Sequence, residues 1–216
     1  MRATGGVEPL LIRRTAAATA VGGLLWMPYG ALEMLQPWGV DTLYRDDLGY
    51  EVVRDALLYL AYSLPGSLSL LLTARGLLGL SRGLGLPVGR AGRAGLVLAH
   101  VAVGLAVFST AGVVAQFDPL FTAPRIFGTL ALGAATLLLG GDARRAGAAP
   151  GWSAALLTPG LLGLFLLPLW PLVYAVGVVP EAAGAAVIAL FGLGWALVGR
   201  RLWFGLGSAG GPSTAR

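Results

Sequence analysis

The sequence predicts an all-α membrane protein, a six-transmembrane-helix bundle with its N and C termini in the cytoplasm. Three observations lead to this fold. Hydrophobic residues make up 56% of the 216 residues and charged residues only 12%, whereas soluble domains carry roughly 25% charged residues. Six apolar stretches approach or exceed the ~20 residues that cross a bilayer. Arginine is concentrated in alternate connections between these stretches, as in membrane proteins of fixed orientation.

The spans are predicted from where each apolar run begins and ends. They cover approximately residues 15–36, 55–80, 94–116, 125–141, 153–179 and 182–204. The fourth is the shortest and is rich in glycine. The short turn at Pro180 predicts an antiparallel pairing of the last two spans. The first is interpreted as a retained helix, because it carries Glu33 and lacks a signal-peptide cleavage site followed by polar sequence.

These spans define the predicted organisation of the chain. Residues 1–14 form a cytoplasmic N-terminal segment, and residues 15–204 form a single transmembrane domain with one long outer loop at 37–54. Residues 205–216 are rich in glycine and serine, a composition typical of flexible chain, so they are expected to form a cytoplasmic tail.

The arginines predict the orientation. One set of alternate connections holds only Arg45, Arg54 and Arg125, and the other set holds the remaining 12 of the 15 basic residues. Cytoplasmic loops retain arginine, so the set with 12 is placed inside and anionic lipid headgroups are its expected partners. The absence of lysine, with abundant glycine and alanine, is typical of a GC-rich bacterial genome. Together with the six apolar spans, it predicts a multi-pass protein of a bacterial cell membrane.

Composition excludes several chemistries. The chain has no cysteine, which excludes disulfides, thiolate metal sites, iron–sulfur clusters and thiol catalysis. It has no lysine, which excludes a Schiff base. The basic charge is spread among short connections rather than gathered in one patch, so nucleic acid is not an expected partner. No cofactor, metal or catalytic residue is predicted.

The candidate ligand site centres on Glu33, because ionisable residues within membrane helices are functional candidates by default. Tyr29, Glu33 and Gln36 recur at helical spacing and share one face. Other polar residues are expected in the outer half of the bundle; with these three they complete the candidate set: Tyr59, Tyr62, Gln116, Arg125 and Tyr174. Two alternatives stay open. Glu33 reaches water or pairs with Arg54 or Arg125, in which case it has no ligand role. The polar residues on neighbouring helices form hydrogen bonds that join the helices, in which case they do not line a pocket.

His100, the only histidine, lies near the cytoplasmic end of the third span. It is a candidate proton relay, and its alternative role is structural, donating a hydrogen bond to a neighbouring helix. A haem site normally takes two axial ligands, commonly a histidine pair, so one histidine does not predict haem.

The outer loop is acidic and rich in tyrosine, and its apolar residues predict a short helix or a lid over the bundle. A solvated connector is the simpler alternative. Loops of this length are often functional.

Together these features predict an outward-facing, weakly acidic pocket that binds or transports a small molecule or cation. The alternative is a non-catalytic accessory or scaffold subunit of a membrane complex, docking a membrane protein partner through the acidic outer loop. An enzyme acting on lipid has only scattered acidic residues in its favour.

Overall fold

The computed structural model describes residues 9–35, 40–83, 89–147, 150–166 and 181–208. Within these ranges the chain is helical apart from one β-hairpin. The helices are α1 (Pro9–Leu35), α2 (Ala56–Gly83), α3 (Arg90–Val114), α4 (Asp118–Arg145), α5 (Pro150–Leu161) and α6 (Glu181–Ser208). The hairpin joins β1 (Thr42–Arg45) to β2 (Tyr50–Val53), and a π-helical turn at Leu162–Leu166 follows α5.

Four of the helices are long and apolar enough to cross a membrane by length and composition: α2, α3, α4 and α6. A shorter apolar stretch at Gly151–Leu164 covers most of α5 and its π-helical turn. α1 is 27 residues long and includes Arg13, Arg14 and Pro28. The lengths and compositions of these helices fit a protein embedded in a membrane, as the sequence predicts.

α4 corrects the sequence-based boundaries most. Its 28 residues begin at Asp118 rather than at residue 125 and end at Arg145, so the prediction of a short fourth span is wrong. The start has a local cause: Phe117 is extended at the N-cap, Asp118 puts a carboxylate in the first turn, and a proline follows it. Both features favour a helix N-terminus.

The outer loop contains a hairpin instead of the expected short helix. Thr42 pairs with Val53 and Arg45 with Tyr50 in an antiparallel register. The strands are rich in β-branched and aromatic residues, which favour extended structure. Gly49 closes the tip at φ 74°, a left-handed conformation that glycine adopts without steric cost.

Side-chain and backbone contacts show that the helices alternate in direction. The start of α1 lies against the end of α2, where Gly79 faces Thr15, and against the end of α6, where Gly199 faces Ala20. Gly92 near the start of α3 bonds Asp142 near the end of α4. We call this the arginine-rich end of the bundle. The opposite end carries the hairpin and the start of α4, and we call it the hairpin end.

α1 and α6 approach each other closely enough for their backbones to touch. A Cβ atom on Gly23 would lie 2.7 Å from the carbonyl oxygen of Gly192, and one on Gly30 would lie 2.7 Å from that of Ala185. At Gly199 an added Cβ would meet the backbone of Ala20. Real Cβ atoms essentially never come so close to backbone atoms, so these positions admit no larger side chain without separating the helices.

Aromatic rings fill the centre of the same interface. Trp26 of α1 meets Phe191 of α6 edge to face at 5.2 Å between ring centroids, and Tyr29 meets Trp26 at 5.9 Å. Both Trp26 and Tyr29 are about 1% exposed. Edge-to-face pairs contribute about 0.5–1.5 kcal/mol beyond their burial, so they add to the stability of the α1–α6 contact.

The variant Gly23→Leu tests this interface. It should lower the free energy of unfolding by at least about 1–3 kcal/mol, the usual cost of overpacking, measured by denaturation in detergent micelles. Gly104→Leu is the matched control, because an added Cβ at Gly104 meets nothing within 4 Å. Equal stabilities of the two variants would contradict the packing described here.

Candidate functional site

Polar and aromatic side chains from three helices gather at the hairpin end. The group, which we call the Asp118–Arg125 cluster, comprises Tyr29 of α1, Tyr59 of α2, and Asp118, Phe121, Thr122 and Arg125 of α4. Asp118 and Arg125 lie seven residues apart, close to two helical turns, so they share one face of α4. The rise between them is ~10 Å at 1.5 Å per residue, which sets the carboxylate near the helix start and the guanidinium deeper.

Asp118 is bound by hydroxyl groups. Thr122 donates to both carboxylate oxygens at 3.2 Å, and the Tyr59 hydroxyl donates to one of them over a longer 3.3 Å. Glu51 of the hairpin and Arg125 also act on Asp118 through their charges. Tyr59 is 1% exposed, and its hydroxyl also forms a hydrogen bond with the side chain of Ser63, so both of its partners lie within α2 and α4.

Arg125 lies between two aromatic rings. Its guanidinium carbon is 5.1 Å from the ring centroid of Tyr29 and 5.1 Å from that of Phe121. These distances are within the range of cation–π attraction. Its Nε is buried without a hydrogen-bond partner among the described residues, and no described carboxylate forms a salt bridge with it. A buried donor without an acceptor is energetically costly, so Arg125 is the group most ready to donate a hydrogen bond to a ligand.

The hairpin supports the cluster from the adjacent side. Val53 packs against the buried residues Tyr59, Val113 and Phe121. Tyr50 meets Phe117, the N-cap of α4, edge to face at 5.5 Å. These contacts fix the start of α4 and therefore the position of Asp118.

Backbone hydrogen bonds close the base of the hairpin immediately before α2 begins. The amide of Arg54 donates to the carbonyl of Asp41 over 2.7 Å. Asp55 caps α2, because its carboxylate accepts the amides of Leu57 and Leu58, both at 3.0 Å. Asp55 thus has a structural role at the start of α2.

The hairpin tip carries an exposed ion pair. Arg45 donates twice to Asp47, with both bonds at 2.8 Å. These bonds lower the pKa of the Asp47 carboxyl and raise the pKa of Arg45. Both side chains are more than half exposed, and exposed pairs stabilise little. The pair therefore holds the hairpin tip in one conformation and adds little to the stability of the fold.

The structure brings together three of the predicted ligand-binding residues: Tyr29, Tyr59 and Arg125. Tyr62 is half-buried on α2, and no hydrogen bond joins its hydroxyl to another described residue. Glu33 lies in the last turns of α1, but its side chain is outside the described residues. Gln36 and Tyr174 are also outside them.

Two other predicted residues have local roles. Gln116 is exposed and adopts φ 54° between α3 and α4. Its backbone amide donates to the carbonyl of Val113, so it forms part of the turn that joins the two helices. His100 is exposed, and its Nδ1 lies 2.8 Å from the carbonyl oxygen of Leu96 in its own helix. The bond expected from His100 to a neighbouring helix is therefore made within α3 instead.

Sequence reasoning misses Asp118, Phe121 and Thr122 as members of the site, because it assigns residues 118–124 to a connection. The signal that identifies them is the acidic residue followed by proline, which marks a helix start. Once α4 begins at Asp118, helical spacing places Asp118 and Arg125 on one face.

No family model, curated protein or solved structure matches the chain. Within the described ranges no three histidine, aspartate or glutamate side chains cluster closely enough to hold a metal ion.

Tyr59→Phe tests the hydrogen bonds that the Tyr59 hydroxyl makes with Asp118 and Ser63. Losing the hydroxyl should lower the free energy of unfolding by at least about 0.5–1.5 kcal/mol, the usual net value of one hydrogen bond, measured by thermal denaturation in detergent. The control is Tyr62→Phe, which removes a hydroxyl with no bond to another described residue and should change stability less. A larger loss in the control would refute this assignment.

Proposed function

We propose that the chain crosses the cell membrane six times, with both termini in the cytoplasm and the hairpin end outside. Four helices long enough to span support this, as does the gathering of arginines at one end. α1 and the apolar segment that begins with α5 would supply the other two crossings. Among the described arginines, only Arg45, Arg54 and Arg125 belong to the hairpin end. The others lie toward the end placed in the cytoplasm, where membrane proteins retain arginine.

We infer that the Asp118–Arg125 cluster forms part of an outward-facing site that binds or transports a small molecule or cation. The observation that carries the proposal is Arg125, whose guanidinium is positioned by two rings while its buried Nε has no described hydrogen-bond partner. Binding sites combine apolar and aromatic walls with a few placed polar groups. Tyr29, Phe121, Asp118 and Arg125 supply both kinds of group.

Of the two ligand classes, a polar small molecule fits these side chains better than a bare cation. Arg125 offers donors to an acidic or carbonyl group. Asp118, already bound by Thr122 and Tyr59, offers acceptors to an ammonium or hydroxyl group. A ligand carrying both kinds of group would use both residues. Glu33, Gln36, Tyr62, Gln116 and Tyr174 remain candidate lining residues, and His100 a candidate proton relay, in the same proposal.

Native mass spectrometry of the full chain in lipid nanodiscs tests this function. The wild type should retain a small-molecule adduct that Arg125→Met loses and Asp118→Asn weakens, because each variant removes one polar partner of the ligand. Arg45→Met is the matched control, since it removes an exposed arginine from the hairpin tip and should keep the adduct. A bare wild type, or an adduct equally retained by Arg125→Met, would overturn the proposal.

A second function, an accessory subunit that docks a partner through the hairpin, is favoured by one observation. Leu43, Tyr44 and Leu48 of the hairpin are 54%, 57% and 47% exposed, which leaves an apolar surface at the tip.

Leu43→Ser combined with Leu48→Ser tests the docking function. The variant should release a co-purifying protein while leaving any small-molecule adduct in place, because neither side chain belongs to the cluster. Co-purification followed by mass spectrometry measures both outcomes. Absence of a co-purifying protein from the wild type would remove this second function.

A further inference from the structure

A groove of about 860 Å³ lies between α5 and α6 at the arginine-rich end, opposite the Asp118–Arg125 cluster. Gly151, Trp152, Ala155 and Thr158 of α5 line one wall. The other wall is formed by residues of α6, among them Leu197, Arg200, Arg201 and Phe204. Its size is within the range of about 300–1,000 Å³ that is common for ligand sites.

The groove opens on the outside of the bundle. Leu197 is 50% exposed and Phe204 is 67% exposed, so apolar side chains of the groove face the surroundings. In a helix pair that crosses a membrane, these surroundings are the lipid. The apolar walls therefore suit a hydrocarbon chain rather than a soluble ligand.

The charge of the groove is of one sign. Arg200 and Arg201 are its two ionised lining residues, and none of the residues that line it is acidic. The side chain of Arg201 donates to the carbonyl of Gly151 across the groove, which fixes its guanidinium at the rim. Arg200 lies over the ring of Phe204 at 5.9 Å. Both guanidiniums are held beside an apolar wall and retain further N–H donors.

We propose that this groove is a binding site for one anionic phospholipid. The phosphate and the anionic headgroup would bind Arg200 and Arg201 at the membrane surface. An acyl chain would lie along Trp152, Ala155 and Leu197, covering their exposed apolar surface. Arginine donors match phosphate geometry, and basic pockets beside membrane helices on the cytoplasmic side bind anionic headgroups.

The groove distinguishes a specific lipid site from the non-specific attraction of anionic lipid to any basic residue at this end. Arg144 and Arg145 lie in the last turn of α4, at the same end of the bundle, and both are exposed. Neither lines the groove. Non-specific attraction would make both arginine pairs contribute equally to lipid binding, whereas binding in the groove depends on Arg200 and Arg201 alone. The proposal depends on membrane embedding but not on the Asp118–Arg125 cluster.

Native mass spectrometry of the delipidated full chain tests the site, after incubation with equal amounts of phosphatidylglycerol and phosphatidylcholine. The wild type should retain phosphatidylglycerol preferentially. Arg200→Gln combined with Arg201→Gln should reduce its retention by about tenfold or more for each arginine removed, because each substitution removes charge-assisted hydrogen bonds to the phosphate. Arg144→Gln with Arg145→Gln, which has the same change in net charge, should stay near the wild type.

A second variant and a competitor complete the test. Ala154→Trp adds bulk to the groove while keeping both arginines, and it should also reduce phosphatidylglycerol binding. Excess inorganic phosphate should leave the lipid bound, because phosphate cannot replace the contacts of the acyl chain. The proposal fails if both double variants lose lipid equally, if phosphate alone displaces it, or if the groove retains a polypeptide instead of lipid.

Discussion

The backbone contact between α1 and α6 is the interaction on which the rest of the structure depends. Lipid tails are as apolar as leucine, so helices in a bilayer associate through close packing and hydrogen bonds rather than through the hydrophobic effect. At Gly23 and Gly199 the helices lie too close for any larger side chain. This contact joins the first helix to the last, and it sets the rotation of α1. That rotation buries Trp26 and presents Tyr29 to the guanidinium of Arg125.

The same packing divides the molecule into two ends with different chemistry. Alternating helices bring paired arginines of α1, α4 and α6 to one end. At the other end the hairpin packs against the start of α4 and holds Asp118 near Arg125. We propose that the arginine-rich end contacts anionic lipid and that the hairpin end recognises a polar solute, so each function uses a chemically distinct surface.

Much of the helical organisation was predictable from the sequence, because apolar length and arginine spacing are properties of single segments. Four of the apolar runs correspond to helices long enough to cross a membrane, and Tyr29, Tyr59 and Arg125 lie in the cluster. The hairpin was not predictable in the same way, because the apolar and polar residues of 37–54 fit a short helix as well as two strands. Pairing across Gly49 and packing of Val53 against Tyr59 decide between them.

The start of α4 shows why site residues are harder to predict than spans. Hydropathy alone places Asp118 outside the helix, since a charged residue lowers the mean of any window that contains it. The bonds from Thr122 and Tyr59 satisfy that carboxylate inside the fold. The rotations that bring Tyr29 to Arg125 follow from α1–α6 packing, a contact between the two ends of the sequence that local patterns do not encode.

The most direct test of this account is site-specific labelling of single cysteines, for which the cysteine-free chain provides a clean background. Asp46→Cys places a thiol at the exposed hairpin tip, and Ala146→Cys places one at an exposed position just after α4. In intact bacterial cells that express the protein, a membrane-impermeant maleimide should label Asp46→Cys and should label Ala146→Cys only after lysis. Labelling of both in intact cells, or of Ala146→Cys alone, would contradict the proposed orientation of the bundle.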